Sequence, residues 1–227
     1  MILIFVYQLF IYEQYSLQNI GICGAKGNVY FELHNIKTIV RDNSIIGNVI
    51  QKWLKSFMNE HNITYRLPDN NQEFPDFYMD GHRNDINLLE VKCFTKSPNF
   101  DVANFVAYCR SIAFYPYRLN ADYLIFEYAA LKSDIMIKNI WLKKVWEICC
   151  PSERSALRIQ WKQNQTFNIR PATWYAKNPS YKPFNSRFEF VTALKKVLDT
   201  HPVGGEWRNK WFQNICNLYK KQTGDDL

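Results

Sequence analysis

Residues 74–94 constrain the fold of this chain more than any other stretch. They read Phe-Pro-Asp-Phe-Tyr-Met-Asp-Gly-His-Arg-Asn-Asp-Ile-Asn-Leu-Leu-Glu-Val-Lys-Cys-Phe. Residues 74–79 are apolar and aromatic apart from Asp76, and the polar members of the apolar run 86–94 are Asn87, Glu90 and Lys92. Between the two runs, Asp80-Gly81-His82-Arg83-Asn84-Asp85 is turn chemistry: glycine accepts positive φ, and short polar side chains bond back to nearby backbone. The segment therefore reads as a hairpin. Centred on Arg83, it sets Asp76 opposite Glu90, and directly opposed residues of antiparallel strands lie about 4.5–5.5 Å apart. Lys92, two residues beyond Glu90, returns to the same face. Three charges thus converge on one face of an otherwise apolar hairpin. On an exposed amphipathic strand they would need no explanation. Here Leu88 shares their face while Leu89, Val91 and Cys93 fill the other, and strands apolar on both faces are interior. Charges there need partners or a task, and two adjacent carboxylates repel unless a cation or a proton sits between them.

A chain of 227 residues, 47% hydrophobic, has enough apolar surface for a sizeable core and is not globally disordered. One domain over residues 1–227 is expected, with a catalytic core in 1–130 and a basic portion in 131–227. The net charge of +7 is unevenly spread: residues 1–130 carry 11 Lys and Arg against 13 Asp and Glu, whereas residues 131–227 carry 17 against 8. Such asymmetry points to a polyanion partner for the second part, against the plainer reading that basic residues keep the protein soluble. The six cysteines are scattered without a C-x-x-C pair, and with four histidines they offer no zinc-ligand spacing. They read as buried free thiols in a reducing compartment.

Along the chain, residues 1–12 are the most apolar run. They lack the basic flank and small-residue cleavage site of a signal peptide, and are too few to span a bilayer. A buried strand or helix is expected, or an addition from an upstream start codon. Residues 28–33 read as a short strand. Asn43 or Ser44 is expected to cap a helix to about Asn59, with Ile46, Val49, Ile50, Trp53, Leu54 and Phe57 at helical spacing. Asp101 is expected to cap a helix carrying Phe105, Cys109 and Ile112. Residues 121–128 and 134–140 read as strands, 141–149 as a short helix, and 157–161 with 166–169 as a hairpin turning at Gln163-Asn164. Ser186-Arg187-Phe188-Glu189 is a capping box opening a helix to about Asp199, and Gly204-Gly205 precedes a last helix, about 206–219. Within the basic portion, Lys143, Lys144, Gln160, Lys162, Arg170 and Trp174 mix cations, amides and aromatics of the kind that contact phosphates and base edges. A solvated amphipathic hairpin is the plainer account of the same composition.

Pro75-Asp76, thirteen intervening residues, then Glu90-Val91-Lys92 resembles the PD-(D/E)xK motif of metal-dependent nucleases, and the strand–strand–helix–strand context around it is the one that superfamily requires. Residues 47–53 (Gly-Asn-Val-Ile-Gln-Lys-Trp), 145–148 and 169–174 further resemble the NgoBV-type restriction endonuclease family over nearly the whole chain. The resemblance implies an α/β fold with a central mixed β-sheet flanked by helices, and a bacterial, cytoplasmic type II restriction endonuclease. It implies Mg²⁺ held by Asp76 and Glu90, a Lys92 that positions or activates water, and a further carboxylate from a preceding helix, for which Glu60 is the candidate. The plainer reading of Glu60 is a solvated helix-end acid. Also implied are double-strand cleavage at a short palindrome of the form GGNNCC, a homodimer on double-stranded DNA, no membrane, and a cognate DNA methyltransferase acting on the same site. Two alternatives stay open: a repair or junction-resolving nuclease of this fold, and a sequence-specific DNA-binding protein in which Asp76, Glu90 and Lys92 are structural.

Overall fold

The computed structural model describes residues 21–40, 42–70, 73–131, 134–162, 165–201 and 205–227. The run 1–12, the turn at Gln163-Asn164 and Gly204 lie outside the described residues. The chain divides into two units, Met1–Ser97 with Asp122–Lys143, and Pro98–Ala121 with Lys144–Leu227. The second carries 16 basic residues against 8 acidic, and the first 12 against 13, so the charge asymmetry follows the units.

The first unit is built on a mixed sheet. Its strands are β1 (Lys26–Gly27), β4 (Phe77–Tyr78), β5 (Leu88–Phe94), β7 (Asp122–Ala130) and β8 (Ile135–Lys144), in the order β1-β8-β7-β5-β4. β5 and β7 run parallel from Leu89 opposite Asp122 to Phe94 opposite Glu127, and β4 pairs antiparallel with β5. Parallel strands need a long crossover, and the chain supplies it through residues 95–121. Helix α1 (Asn43–Glu60) sets Ile46, Ile50, Leu54 and Met58, four residues apart, into a core with Phe77, Leu89, Val91, Leu124 and Phe126. Burying each such side chain contributes about 1.5–3 kcal/mol, so this stripe outweighs the modest helix propensity of its β-branched members. At its start Asp42 Oδ1 accepts from the backbone N–H of Ile45 at 3.3 Å, while the side chains of Asn43 and Ser44, the expected caps, lie outside the described residues. The expected strand at 28–33 is β2 (Tyr30–Leu33), which pairs with β3 (Ile36–Ile39) across a turn whose residues His34 and Asn35 both have positive φ. That backbone twist matches tight hairpins.

In the second unit β6 (Ala103–Asn104), β10 (Gln165–Ile169) and β9 (Ile159–Lys162) form an antiparallel sheet; α2 (Phe105–Phe114) packs on β10, α4 (Trp211–Thr223) on α2, and α3 (Arg187–Thr200) on α4. Asp101 does not cap α2. Residues 103–104 are drawn into the ladder with β10, so the helix starts later, and Asn104 caps it by accepting from the N–H of Ala107 at 3.0 Å. The helix expected at 141–149 is half strand: β8 continues to Lys144, with Trp141 stacked on Phe94 at 5.8 Å between ring centroids, and only Val145–Ile148 coil into a 3₁₀ turn. The expected hairpin is present as β9 and β10, with Lys162 opposite Gln165. Ser186 caps α3 through the N–H of Glu189 at 3.1 Å, while the Glu189 carboxylate accepts from Asn185 instead of closing on the cap residue. The last helix begins at Trp211, after a 3₁₀ turn at Glu206–Arg208 and the left-handed Lys210, because Trp211 is anchored by its indole N–H on the Cys109 carbonyl at 2.9 Å. All six cysteines are free.

Candidate active site

The register of β4 on β5 is Phe77 opposite Leu89 and Tyr78 opposite Leu88. One step further, Asp76 faces Glu90, as the hairpin centred on Arg83 predicts. The turn is held by Asp80, which accepts from the N–H groups of His82 and Arg83 at 2.9 and 2.8 Å, and by Arg66, whose guanidinium donates to the Asp80 and Arg83 carbonyls at 3.2 and 2.9 Å. Where the strands stop exchanging backbone bonds, the two carboxylates take over. Asp76 Oδ2 accepts from the N–H of Val91 at 2.7 Å, and Glu90 Oε2 accepts from the N–H of Asp76 at 3.3 Å. Lys92 Nζ donates to Glu90 Oε1 at 2.7 Å. Glu90 is 8% exposed, on a strand whose neighbours Leu88, Leu89 and Val91 are buried.

Burial pushes the Asp76 carboxyl up from its ordinary 3.8 to about 6, with the nearby Glu90 charge adding to the rise. The Val91 N–H, the Lys92 ammonium and a hydrogen bond from the Gln51 side chain pull the other way and do not offset it. Asp76 therefore holds its proton more tightly than a free aspartate, because a second carboxylate stands beside it in a partly dehydrated place. The charge of a bound divalent cation would offset both effects by favouring the ionised carboxylate, so the donor set suits one. Two carboxylate oxygens from the protein, with water and substrate oxygens completing the shell, is the arrangement Mg²⁺ favours. Among the described residues no group of three or more His, Cys, Asp or Glu side chains comes together. Glu60 lies exposed at the end of α1. The residue of that helix that reaches Asp76 is Gln51, which the sequence reading passed over as a site residue. Its only signal there is its place in the stretch 47–53 that carries the family resemblance. Cys93, beside the trio, is pushed up to about 12 by burial and stays a thiol.

The other predicted residues lie elsewhere. Lys143 is half-buried at the end of β8. Lys144 Nζ donates to the Asn120 carbonyl at 2.7 Å, and its backbone N–H donates to Glu147 at 2.7 Å, so it is tied into its own unit. Gln160 and Lys162 are exposed on β9, with the Lys162 ammonium 5.4 Å from the Phe167 ring centre. Arg170 is held by Asp101 and by the Asn99 carbonyl, the latter at 2.6 Å. Trp174 is half-buried against Phe100 and Tyr175.

The family profile described as NgoBV restriction endonuclease matches residues 8–227. The type II restriction enzyme NlaIV of Neisseria lactamica is 34% identical over 204 residues, which cover 88% of this chain and 84% of that protein. The type II restriction enzyme NgoBV of Neisseria gonorrhoeae is 30% identical over 148 residues, covering 63% of this chain and 82% of that protein. A solved structure of NlaIV restriction endonuclease superposes with a TM-score of 0.86 at 31% identity, over 97% of this chain and 90% of that one. Among the described residues no helix is long and apolar enough to cross a membrane.

Proposed function

Because the chain belongs to the NgoBV restriction endonuclease family, we propose that Asp76, Glu90 and Lys92 are the residues with which this type II restriction endonuclease hydrolyses DNA phosphodiesters. The observation that carries the proposal is the junction of β4 and β5, where Val91 N–H donates to the Asp76 carboxylate, Asp76 N–H to the Glu90 carboxylate, and the Lys92 ammonium to Glu90. Asp76 and Glu90 would hold Mg²⁺, which would supply polarisation of the scissile phosphate and a lowered pKa for a water. The reaction adds water across an ester bond: the water oxygen bonds to phosphorus, one P–O bond breaks, and the departing oxygen leaves as an alcohol. The chain's own contributions are positional and electrostatic. Val91 N–H fixes the orientation of the Asp76 carboxylate, and Asp76 N–H fixes that of Glu90. The Lys92 ammonium sits where negative charge develops on the nucleophile and the transferring phosphoryl oxygens.

The substrate in this reading is double-stranded DNA with a short palindrome, of the form GGNNCC. A two-fold homodimer, one site per strand, matches such symmetry. A cognate methyltransferase in the same bacterial cytoplasm protects the host's own copies. Lys143, Gln160, Lys162, Arg170 and Trp174 contribute to binding from the basic portion, with Arg170 exchanging its carbonyl and carboxylate partners for guanine O6 and N7. The test is incubation of a mixed-sequence plasmid with the protein and Mg²⁺, followed by sequencing of the fragment ends. Discrete fragments with one common palindrome support the proposal. Intact plasmid with a retained gel shift, or a smear, refutes it.

A further inference from the structure

The face of α1 beside Asp76 carries chemistry that the catalytic trio leaves unused. A cavity of about 370 Å³ is lined by Asn48, Gln51, Lys52 and Lys55 of that helix together with Asp76 itself. A wider groove shares Lys55 and Leu67 with it and continues past Asn59 to Arg66. Asn48, Gln51, Lys52, Lys55 and Asn59 recur at intervals of three and four, so they form one polar ridge, separate from the apolar stripe of Ile46, Ile50, Leu54 and Met58. The helix holds no acid before Glu60. Lys52 and Lys55 are exposed, and among the described residues neither is ion-paired.

We propose that Lys52 and Lys55 form a phosphate track that grips the DNA backbone on the strand being cut, next to the phosphate attacked at Asp76. The inference rests on the reading of Asp76 as a metal-holding carboxylate and adds to it the path of the substrate. The unit containing α1 is slightly acidic overall, and Asp69 and Asp76 line the same groove without ion-pairing either lysine, so two lysines facing it are a local device and not part of a general surplus. Residues three apart on a helix have Cβ atoms about 5–6 Å apart. Flexible four-carbon stems with compact point charges let such a pair meet two successive phosphates of one strand. An open groove that leads away from the catalytic carboxylate suits a polymer rather than a small anion. Gln51 links the ridge to the chemistry, since its side chain hydrogen-bonds the Asp76 carboxylate from the same helix face. The charge balance of the sequence assigns phosphate contacts to residues 131–227; the groove adds a set from residues 1–130.

The test is DNA binding in EDTA, over a series of salt concentrations, by wild type, Lys52→Gln/Lys55→Gln and Lys52→Arg/Lys55→Arg, on a cleaved sequence and a scrambled one. Each neutralised phosphate contact contributes about 0.9 to the slope of log K against log salt. The Gln pair should therefore lower the slope by about 1.8 on both DNAs, while the Arg pair keeps it. An unchanged slope in the Gln pair overturns the track, and so does an equal loss in the Arg pair, which would make shape and not charge the cause. The two readings fail separately: a wild-type protein that cleaves plasmid with Mg²⁺ while the Gln pair keeps its slope sinks the track alone, whereas absence of wild-type cleavage sinks the assignment at Asp76 and the track with it.

Discussion

Replacing Asp76 with asparagine should stabilise the protein at neutral pH in the absence of metal, while removing its cleavage activity. The magnitude follows from the carboxyl's environment. Its pKa stands at about 6 against an ordinary 3.8, and each tenfold change in a proton equilibrium is worth about 1.4 kcal/mol, so ionised Asp76 costs the fold roughly 3 kcal/mol above pH 6. The folded chain binds this proton more tightly than the unfolded chain. The group's contribution is therefore most favourable below about pH 4, declines as pH rises from about 4 to about 6, and is flat above that. Asparagine keeps an oxygen for the Val91 N–H and carries no charge to repel Glu90. The assay is urea denaturation of both proteins in EDTA at pH 4 and pH 7.5, with plasmid cleavage in Mg²⁺ alongside. The expected result is little difference at pH 4, a gain for Asp76→Asn of up to about 3 kcal/mol at pH 7.5, and loss of cleavage by several orders of magnitude. A variant that is less stable than wild type at pH 7.5, or equally shifted at both pH values, refutes the argument. It would mean that Asp76 is a net structural support whose charge the fold already compensates.

The same proton competes with metal, so apparent Mg²⁺ affinity measured by calorimetry should fall about tenfold for each pH unit below 6; a flat profile between pH 5 and 7 would exclude Asp76 as a ligand. Lys92→Ala should abolish cleavage and leave Mg²⁺ affinity intact, because an ammonium is not a ligand for a hard cation; a parallel loss of affinity would recast Lys92 as a support for Glu90. Arg170→Ala should cost about 1 kcal/mol of stability by urea denaturation, discounted for the partial exposure of its ion pair with Asp101, and an additive double variant with Asp101→Ala would show that the pair contributes nothing. Asn104→Ala should cost about 1 kcal/mol through loss of the α2 cap; unchanged stability would show the cap to be dispensable.

The juxtaposition of Asp76, Glu90 and Lys92 was legible in the sequence because side chains alternate along strands and a turn of known centre sets the register. Those two rules are local, and they place Asp76 opposite Glu90 before any tertiary contact is considered. The apolar stripe of α1 and the strand character of β5 and β7 were legible for the same reason: periodicity and apolar, aromatic-rich runs act over a few residues. The boundaries that moved were decided by distant partners. Asp101 has the right chemistry for a helix cap, but the ladder between β6 and β10 takes residues 103–104 and hands the cap to Asn104. Trp141–Lys144 has helical spacing, but β8 runs through it with Trp141 stacked on Phe94. Gln51, Lys52 and Lys55 are unremarkable polar positions on a helix until α1 is laid against the sheet, and only that packing brings them to Asp76. Which charges share a strand face depends on covalent spacing alone and is readable from the order of residues. Packing decides the raised proton affinity of Asp76 and what lines the approach to it, since desolvation and groove shape depend on atoms far apart in the chain.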